Sequence, residues 1–191
     1  RSIPLRYIGG ELLWYFTGDN TLETISKYSG FWNNIANKDG TLNSAYGELL
    51  FKRKNKHDMT QWEWAYSQLI KDRDTRQAIM YFGQPDFQYK DNRDFVCTCF
   101  GQFFIRDNHL SLHITMRSND IIKGTTFDIP FFTLLQQNMY ILLKEKYPEL
   151  KLGNYIHNVM SLHIYESDFD LAKKMLDEEF EEDQLPEMEK P

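Results

Sequence analysis

The sequence predicts an α/β (α+β) protein in which helices pack on a mixed β-sheet. Apolar residues recur at helical spacing near the start of the chain, and a second helical segment follows Pro130. Between these segments, two strand-like runs flank Asp107-Asn108, a dipeptide typical of a β-hairpin turn. Helical segments before and after a hairpin in the sequence indicate a sheet that is covered by helices.

The chain is expected to form one domain. It has 191 residues, of which 41% are hydrophobic and 15% aromatic, enough for one well-filled core. We assign residues 1–170 to this domain and residues 171–191 to a surface helix and an acidic tail. Because the sequence starts at Arg1 rather than methionine, we expect that a segment upstream was removed or is not included.

The first half of the chain is predicted to be mainly helical. Residues 4–17 have the apolar spacing of a buried helix despite Gly9 and Gly10. Asn20 followed by Glu23 resembles a capping box, and Gly30 is expected to end the short helix that Asn20 starts. A turn, a polar loop and a second helix follow at residues 37–40, 55–58 and 60–71.

The second half is predicted to hold the sheet. Strands are expected at residues 77–82, 95–105 and 110–116, and a further strand at residues 155–165. Pro130 suits the first turn of a helix that reaches about residue 146, and residues 168–181 have the pattern of a surface helix.

Composition argues against several classes of function. The formal charge of −6 and a pI near 5.4 argue against broad attraction to nucleic acid. The absence of a signal-like segment or an apolar run of about 20 residues, together with only two cysteines, indicates a soluble protein of the cytoplasm, with no membrane partner. Cys97 and Cys99 lie too close along one strand for an ordinary disulfide. His109 and His113 supply no convincing zinc spacing, so no metal is expected.

Cys97 is the first candidate for chemistry. A lone strand cysteine is more often a small core residue, but here Arg117 follows twenty positions later and could favour a thiolate. The best apolar pairing, Phe103 with Leu112, sets Arg117 opposite Thr98 and on the wrong face for Cys97.

A bulge near Gly101 would restore the contact between the two side chains, and we predict one.

Several blocks together resemble the thymidylate synthase family over about residues 11–169. One set follows Cys97 in order and spacing: Gln102-Phe103, Arg117-Ser118-x-Asp120, Gly124 and Asp128. Further blocks lie outside it: Glu11-Leu-Leu-Trp-Tyr-Phe16, Asn43-Ser-Ala-Tyr-Gly47, Asp74-Thr-Arg76 and His163-Ile-Tyr165. The segments 116–120, 159–165 and 32–36 look closest to the phage-type deoxycytidylate hydroxymethylases of that family.

The resemblance implies a thymidylate synthase-like fold, a homodimer formed through the sheet, and a soluble enzyme of a phage-infected cell. The reaction it implies is C5 hydroxymethylation of dCMP, with 5,10-methylenetetrahydrofolate as co-substrate and a covalent adduct to the enzyme. Methylation of dUMP or dCMP, and a catalytically silent nucleotide-binding relative, are the alternatives. The residues around Trp32 favour water over hydride in the last step.

Roles for single residues follow from the same resemblance. Cys97 would be the nucleophile, with Glu11 for proton transfers and Tyr46 supporting the thiol region. Trp32 and Asp120 would bind the folate. The nucleotide would be held by Arg76 from across the dimer and by Gln102, Arg117, Ser118, Asp128, His163 and Tyr165.

Some of these residues also have simpler interpretations. Glu11 could be a surface or cap residue, and His163 and Tyr165 could be core-facing strand residues. Asp120 is as well suited to capping a turn, and Asp128 to capping a helix that begins at Pro130.

Asp128 is predicted to select the base. Family members that act on uracil carry asparagine here, which donates to O4 and accepts from N3–H. Cytosine has the reverse pattern, so a carboxyl group that accepts from the amino group and, when protonated, donates to N3 fits cytosine. Unpaired polar groups would then reject uracil.

The chain also departs from the family pattern. Gln77 follows Arg76 where the family usually has two adjacent arginines, so one phosphate contact is weakened or missing. The family's N-terminal phosphate-binding loop would lie before Arg1, and its long C-terminal strand has no counterpart after Phe169. We therefore expect nucleotide binding with slow turnover.

Overall fold

A mixed four-stranded sheet forms the centre of the molecule in this computed structural model, which describes residues 4–178. Its strands, in the spatial order β1-β2-β3-β5, are Ile79–Tyr81, Thr98–Arg106, His109–Met116 and Lys151–Val159. The pairs β1–β2 and β2–β3 are antiparallel, whereas β3–β5 is parallel. A small parallel pair joins β4 (Asn119–Asp120) to β6 (Leu162–His163). The predicted class, a mixed sheet with helices, is confirmed.

Within residues 4–178, five α-helices accompany the sheet. In chain order, α1 to α5 span Leu5–Thr17, Leu22–Ile25, Gln61–Lys71, Thr125–Lys144 and Phe169–Asp177. Short 3-10 turns lie at Gly30–Asn34, Pro85–Phe87 and Glu166–Asp168, and a π-helical turn at Glu48–Lys52. The predicted hairpin is present: Asp107 and Asn108 both have positive φ angles, 48° and 62°, as its two-residue turn requires.

The core lies between one face of the sheet and the helices. Every second residue is buried along β3, and along β2 from Gly101 to Ile105, as the two-residue period of a strand demands. Phe103 and Leu112 on the sheet and Phe132 on α4 have no exposed area. The opposite face carries half-buried or exposed side chains, among them Phe104 on β2 and Ile156 on β5.

One predicted helix start and one predicted helix end differ in the structure. No capping box forms at Asn20, because Thr21 precedes α2 and its side chain makes no cap bond; Gly30 begins a 3-10 turn. The capping box occurs instead at Thr60, whose hydroxyl accepts from the Glu63 N–H while the Glu63 carboxylate accepts from the Thr60 N–H.

Helix α4 begins earlier than Pro130 suggested. It starts at Thr125, because the N–H groups of Phe127 and Asp128 already donate to the Gly124 carbonyl at 2.9 and 3.0 Å. Pro130 sits inside the helix, where its missing N–H removes one backbone bond.

The predicted strand at 155–165 is two strands. β5 ends at Val159 and β6 begins at Leu162, with Met160 N–H donating to the Met116 carbonyl at the break. The surface helix ends at Asp177, and the remainder of the predicted acidic tail lies outside the described residues.

Candidate active site

A bulge in β2 brings Arg117 to Cys97. The ladder between β2 and β3 changes register between Thr98, which pairs with Met116, and the next pair, so that Cys99 is the extra residue. The Arg117 N–H then donates to the Cys97 carbonyl at 2.9 Å, and Arg117 Nη2 lies 3.6 Å from Cys97 Sγ.

The bulge prediction is confirmed two residues before Gly101, and the predicted pair Phe103–Leu112 is observed.

Arg117 is held by the strand segment that it faces. Its Nε donates to the Val96 carbonyl at 3.0 Å and its Nη2 to the Phe95 carbonyl at 2.5 Å, and the guanidinium lies 4.8 Å from the centre of the Phe95 ring. Burial raises the pKa of Cys97, and the charge of Arg117 only partly offsets this. Arg117 therefore favours the thiolate, and burial opposes it more strongly.

Tyr46 contacts the residue that follows the thiol. Thr98 Oγ1 donates to the Tyr46 hydroxyl at 2.9 Å, and both side chains are buried. Tyr46 is thus bonded to the residue next to the predicted nucleophile.

Asp94 accepts hydrogen bonds that join the segment before Tyr46 to the segment before Cys97. The Ser44 N–H donates to Asp94 Oδ2 at 2.8 Å and the Ser44 hydroxyl donates to Asp94 Oδ1. Asn43 Nδ2 donates to the Asp94 carbonyl at 3.1 Å. The segment that carries Tyr46 is therefore bonded to the segment that leads to Cys97. Sequence reasoning missed Asp94, which had no local signal.

Glu11 is a buried carboxyl on α1. It is 7% exposed, and the Tyr7 hydroxyl, one helical turn away, donates to Glu11 Oε1 at 2.7 Å. Trp32 Nε1 donates to the same hydroxyl at 3.1 Å. Burial raises the pKa of Glu11 to about 8, so its protonated form predominates at neutral pH. The surface interpretation of Glu11 is wrong. Tyr7 was not predicted, although its i, i+4 spacing to Glu11 is a signal.

Asp128 lies in the first two turns of α4. Its Oδ2 accepts from Asn119 Nδ2 at 2.6 Å. Burial raises the pKa of Asp128 to about 7, and the bond from Asn119 lowers it in part. The helix-cap interpretation is wrong, because Gly124 occupies the cap position. Asn119 was also missed by sequence reasoning.

The predicted carboxyl, phenol and thiol groups share one electrostatic neighbourhood. A negative charge on Asp128 raises the pKa of each of the following groups: Tyr7, Glu11, Tyr15, Tyr46, Cys97 and Tyr155. These groups come from α1, from residue 46, from the start of β2 and from β5. The fold therefore brings Glu11, Tyr46, Cys97 and Asp128 together from distant parts of the chain.

Comparison with known proteins agrees with this geometry. The family model described as thymidylate synthase matches residues 1–190. The chain belongs to the thymidylate synthase family. Membership places it in a family of one-carbon transferases that modify C5 of a pyrimidine nucleotide with methylenetetrahydrofolate.

Relatives within this family differ in their products. The chain is 30% identical over 173 residues to the deoxycytidylate 5-hydroxymethyltransferases of Enterobacteria phages T6 and T4, covering 87% of this chain and 69% of each relative. It is 27% identical over 172 residues to the thymidylate synthase of Buchnera aphidicola subsp. Acyrthosiphon pisum (strain APS), covering 87% of this chain and 62% of that protein.

A solved structure in the family has the same fold. Thermostable thymidylate synthase A from Bacillus subtilis superposes with a TM-score of 0.72 at 26% identity. The match covers 92% of this chain and 63% of that structure, so the chain spans less than two thirds of its length.

Asp120, a predicted folate residue of the family, does cap a turn. Its Oδ1 accepts from the N–H groups of Ile122 and Lys123 at 2.6 and 2.8 Å. Its Oδ2 is buried and has no hydrogen-bond partner among the described residues. One carboxylate oxygen therefore stabilises the turn, and the other has its acceptor capacity unused.

The predicted nucleotide residues Arg76, Gln102, Ser118, His163 and Tyr165 are less connected to the cluster. Gln102 Nε2 donates to the Arg76 carbonyl at 2.7 Å, while the Arg76 side chain is exposed. The rings of His163 and Tyr165 are perpendicular with centres 5.0 Å apart, and Tyr165 is 58% exposed, so the core-facing interpretation of this pair is wrong. Ser118 is half-buried.

A cavity of about 260 Å³ adjoins the cluster. It is lined by Arg117 and Cys99, with most other lining residues from the segments 83–88 and 95–96. Cys97 does not line it but is itself partly exposed. Reagents of small size therefore have a route to the thiol.

Two further findings concern residues 4–178. Within this part of the chain no three His, Cys, Asp or Glu side chains are grouped so that they could hold a metal ion. None of its helices is both long enough and apolar enough to cross a membrane.

Proposed function

We propose that the protein is a folate-dependent deoxycytidylate 5-hydroxymethyltransferase. The observation that carries this proposal is Asp128: a carboxyl group whose pKa is raised to about 7, within the neighbourhood of a partly exposed cysteine. The 30% identity to phage enzymes of that name supports it.

The carboxyl group suits cytosine because it is partly protonated at neutral pH. A protonated carboxyl can donate to N3 of the ring and accept from the exocyclic amino group. An ionised aspartate with an ordinary pKa would offer no donor to N3. The raised pKa therefore supplies the form that cytosine needs without requiring an acidic medium.

The chemical step needs the Cys97 thiolate. Sγ forms a bond to C6, the C5–C6 double bond opens, and its electron pair becomes available at C5 for attack on the one-carbon unit. Because burial raises the pKa of Cys97, the thiol must lose its proton when the nucleotide binds, and Arg117 at 3.6 Å stabilises the resulting anion.

Glu11 is suited to move protons. Its pKa of about 8 keeps a proton available at neutral pH, and the Tyr7 hydroxyl fixes one of its oxygens. The ionised form of this group would accept the C5 proton, and a water held by the carboxyl would then add to the exocyclic carbon.

Asp120 and Trp32 would bind the co-substrate. Methylenetetrahydrofolate supplies the one-carbon unit at the oxidation level of formaldehyde. The buried and unused Oδ2 of Asp120 is a free acceptor for an N–H group of such a ligand, and Trp32 lies beside the Tyr7–Glu11 pair.

The remaining residues would hold the nucleotide. Arg117 and Ser118 would bind its phosphate, His163 and Tyr165 its sugar hydroxyl, and Gln102 would brace it from the sheet. The exposed Arg76 would reach the phosphate of a second copy, in a homodimer formed through the uncovered face of the sheet that carries Phe104 and Ile156.

A second candidate is a nucleotide-binding relative that does not turn over. The raised pKa of Cys97 and the glutamine at position 77 favour it, since both weaken the chemistry or the phosphate contact.

Tritium release tests the proposed reaction. The protein is incubated with C5-tritiated dCMP or dUMP and methylenetetrahydrofolate, and the product is identified. Release from dCMP with formation of 5-hydroxymethyl-dCMP is expected. Release from dUMP alone would refute the assignment, and a methyl product would indicate synthase-type chemistry.

Adduct formation separates an enzyme from a silent binder. A 5-fluorinated deoxycytidylate with the folate should form a covalent adduct in the wild type and in Cys99→Ser, but not in Cys97→Ser. Absence of an adduct in the wild type would support the silent binder.

A further inference from the structure

The two carboxyl oxygens of Asp128 have different environments. Oδ2 accepts from Asn119 Nδ2 at 2.6 Å, whereas no residue in the range 4–178 donates a hydrogen bond to Oδ1. A carboxyl that binds cytosine must donate through one oxygen and accept through the other. The oxygen that carries the acid proton must therefore be the one that faces N3, and the other oxygen must face the amino group.

Asn119 is itself fixed in orientation. It is 4% exposed, and its N–H donates to the Ser161 carbonyl at 3.0 Å. Its side-chain Oδ1 accepts from the Thr125 hydroxyl, while its Nδ2 lies 3.1 Å from Met116 Sδ as well as beside Asp128. The amide thus turns its N–H₂ group toward two acceptors and its oxygen toward a hydroxyl donor.

We infer that Asn119 is a positioning residue for base selection: by donating to Oδ2 it keeps the acid proton of Asp128 on Oδ1. Oδ1–H then faces N3 of cytosine as a donor, and Oδ2 uses its second lone pair to accept from the amino group. Uracil would bring N3–H against Oδ1–H, two donors facing each other. This inference rests on the proposed function, because it explains how the carboxyl distinguishes the two bases.

The short hydrogen bond from Asn119 to Oδ2 is the physical reason that the acid proton stays on Oδ1. A proton on Oδ2 would turn the better acceptor of the pair into a weaker one, so the acid form with the proton on Oδ1 is the stable one. The same bond lowers the pKa of Asp128 against the effect of burial. The ionisable groups that face Asp128 from the elements around it are Tyr7, Glu11, Tyr15, Tyr46, Cys97 and Tyr155.

Two variants and a matched control test the inference. Asn119→Leu removes the donor, and Thr125→Val removes only the hydroxyl that orients the Asn119 amide. Thr126→Val is the control, since the Thr126 hydroxyl one residue later bonds only to the Ile122 carbonyl at 3.0 Å. Circular dichroism verifies that each variant is folded; Thr125→Val keeps the test decisive where Asn119→Leu does not fold.

The first readout is the titration of Asp128 in full-length protein labelled with ¹³C at aspartate carboxyls, assigned with Asp128→Asn. Asn119→Leu and Thr125→Val should raise the pKa of Asp128 above about 7, and Thr126→Val should leave it unchanged. An unchanged titration in both test variants overturns the inference, whatever the substrate.

The second readout is the ratio of kcat/KM for dCMP to kcat/KM for dUMP. We expect it to fall by about tenfold in both test variants, because leaving a buried polar group without its hydrogen bond typically costs about that factor. If the wild type prefers dCMP and the test variants keep that preference, the inference is overturned and the proposed function stands. A wild type that prefers dUMP overturns the proposed function together with it.

Discussion

The sheet contains two bulges that the fold uses in different ways. In β2 the extra residue is Cys99, whose carbonyl accepts from the N–H groups of Phe82 and Gly83, each at 3.0 Å. In β5 an extra residue lies opposite β3, between the pairs Leu110–Leu152 and Leu112–Tyr155.

A side chain from α4 donates hydrogen bonds to the backbone carbonyls at the second bulge. Gln136, 2% exposed, directs Nε2 to the carbonyls of Leu110, Gly153 and Asn154 at 2.8, 3.1 and 3.3 Å. The two irregularities therefore have different consequences: the one in β2 re-aims Arg117 toward Cys97, and the one in β5 must be satisfied inside the core.

The largest expected effect comes from removing the bulge in β2. Deletion of Cys99 makes the ladder continuous and leaves Arg117 opposite Cys97, but it removes the local distortion of β2 and the carbonyl that accepts from the N–H groups of Phe82 and Gly83, so the two side chains lose their alignment. Turnover and adduct formation should fall by at least about 10²-fold, since misplacement of a group by about an ångström already costs that much. Cys99→Ser, which keeps the bulge, is the control. A deletion variant that is folded and fully active would show that the bulge is not needed to align Arg117 with Cys97.

Gln136→Met tests the bulge in β5. Methionine keeps the length of the side chain but leaves the three carbonyls without their donor, so the free energy of unfolding should fall by about 3 kcal/mol. Urea denaturation measures it. Activity of the folded fraction should persist, in contrast to the Cys99 deletion. A loss below about 1 kcal/mol would mean that water replaces the amide.

Glycine substitutions compare the two bulges more finely. An added Cβ at Gly153 would lie 2.7 Å from Ser111 Oγ and 2.9 Å from the Leu110 carbonyl, and that carbonyl is backbone. At Gly101 its nearest neighbour, at 2.6 Å, is the terminal methyl of Ile114, which can move. Gly153→Ala should cost about 2 kcal/mol and Gly101→Ala less than about 1 kcal/mol in thermal or urea unfolding. Equal costs would show that the two sites are equally adaptable.

The smallest effect concerns the protonation of Cys97. Its pKa is raised by burial and lowered by Arg117, and its thiolate accumulates only as the pH rises through this pKa. In a Cys99→Ser background, Arg117→Gln should move the pH profile of Cys97 alkylation further to alkaline pH. Arg117→Lys should move it less, because the charge is kept. A profile that does not move would show that the bulge positions Arg117 for the substrate alone.

Features set by neighbouring residues were predictable from the sequence. Asp107-Asn108 encodes its own turn, and the register of Phe103 with Leu112 follows from alternation of apolar residues. The bulge followed from a conflict between that register and the need to join Arg117 to Cys97. Cys97, Glu11, Tyr46 and Asp128 could be named because the family resemblance placed them.

Features that depend on long-range contacts were not predictable. Asp94 and Asn119 are ordinary polar residues until the fold supplies Ser44 and Asp128 as partners. The start of α4 was misjudged because Pro130 at an interior position looks the same in sequence as proline in a first turn. The net pKa of Cys97 depends on burial, which the sequence does not give.

The Asp94–Ser44 bonds have a consequence for protein engineering. They join two segments that are fifty residues apart, and Ser44 and Asp94 lie two and three residues from Tyr46 and Cys97. A chimera that imports one of these segments from a relative would therefore need the other from the same donor. When the two segments are transplanted together, these hydrogen bonds are kept. When only one segment is transplanted, a buried carboxylate is left without its donors.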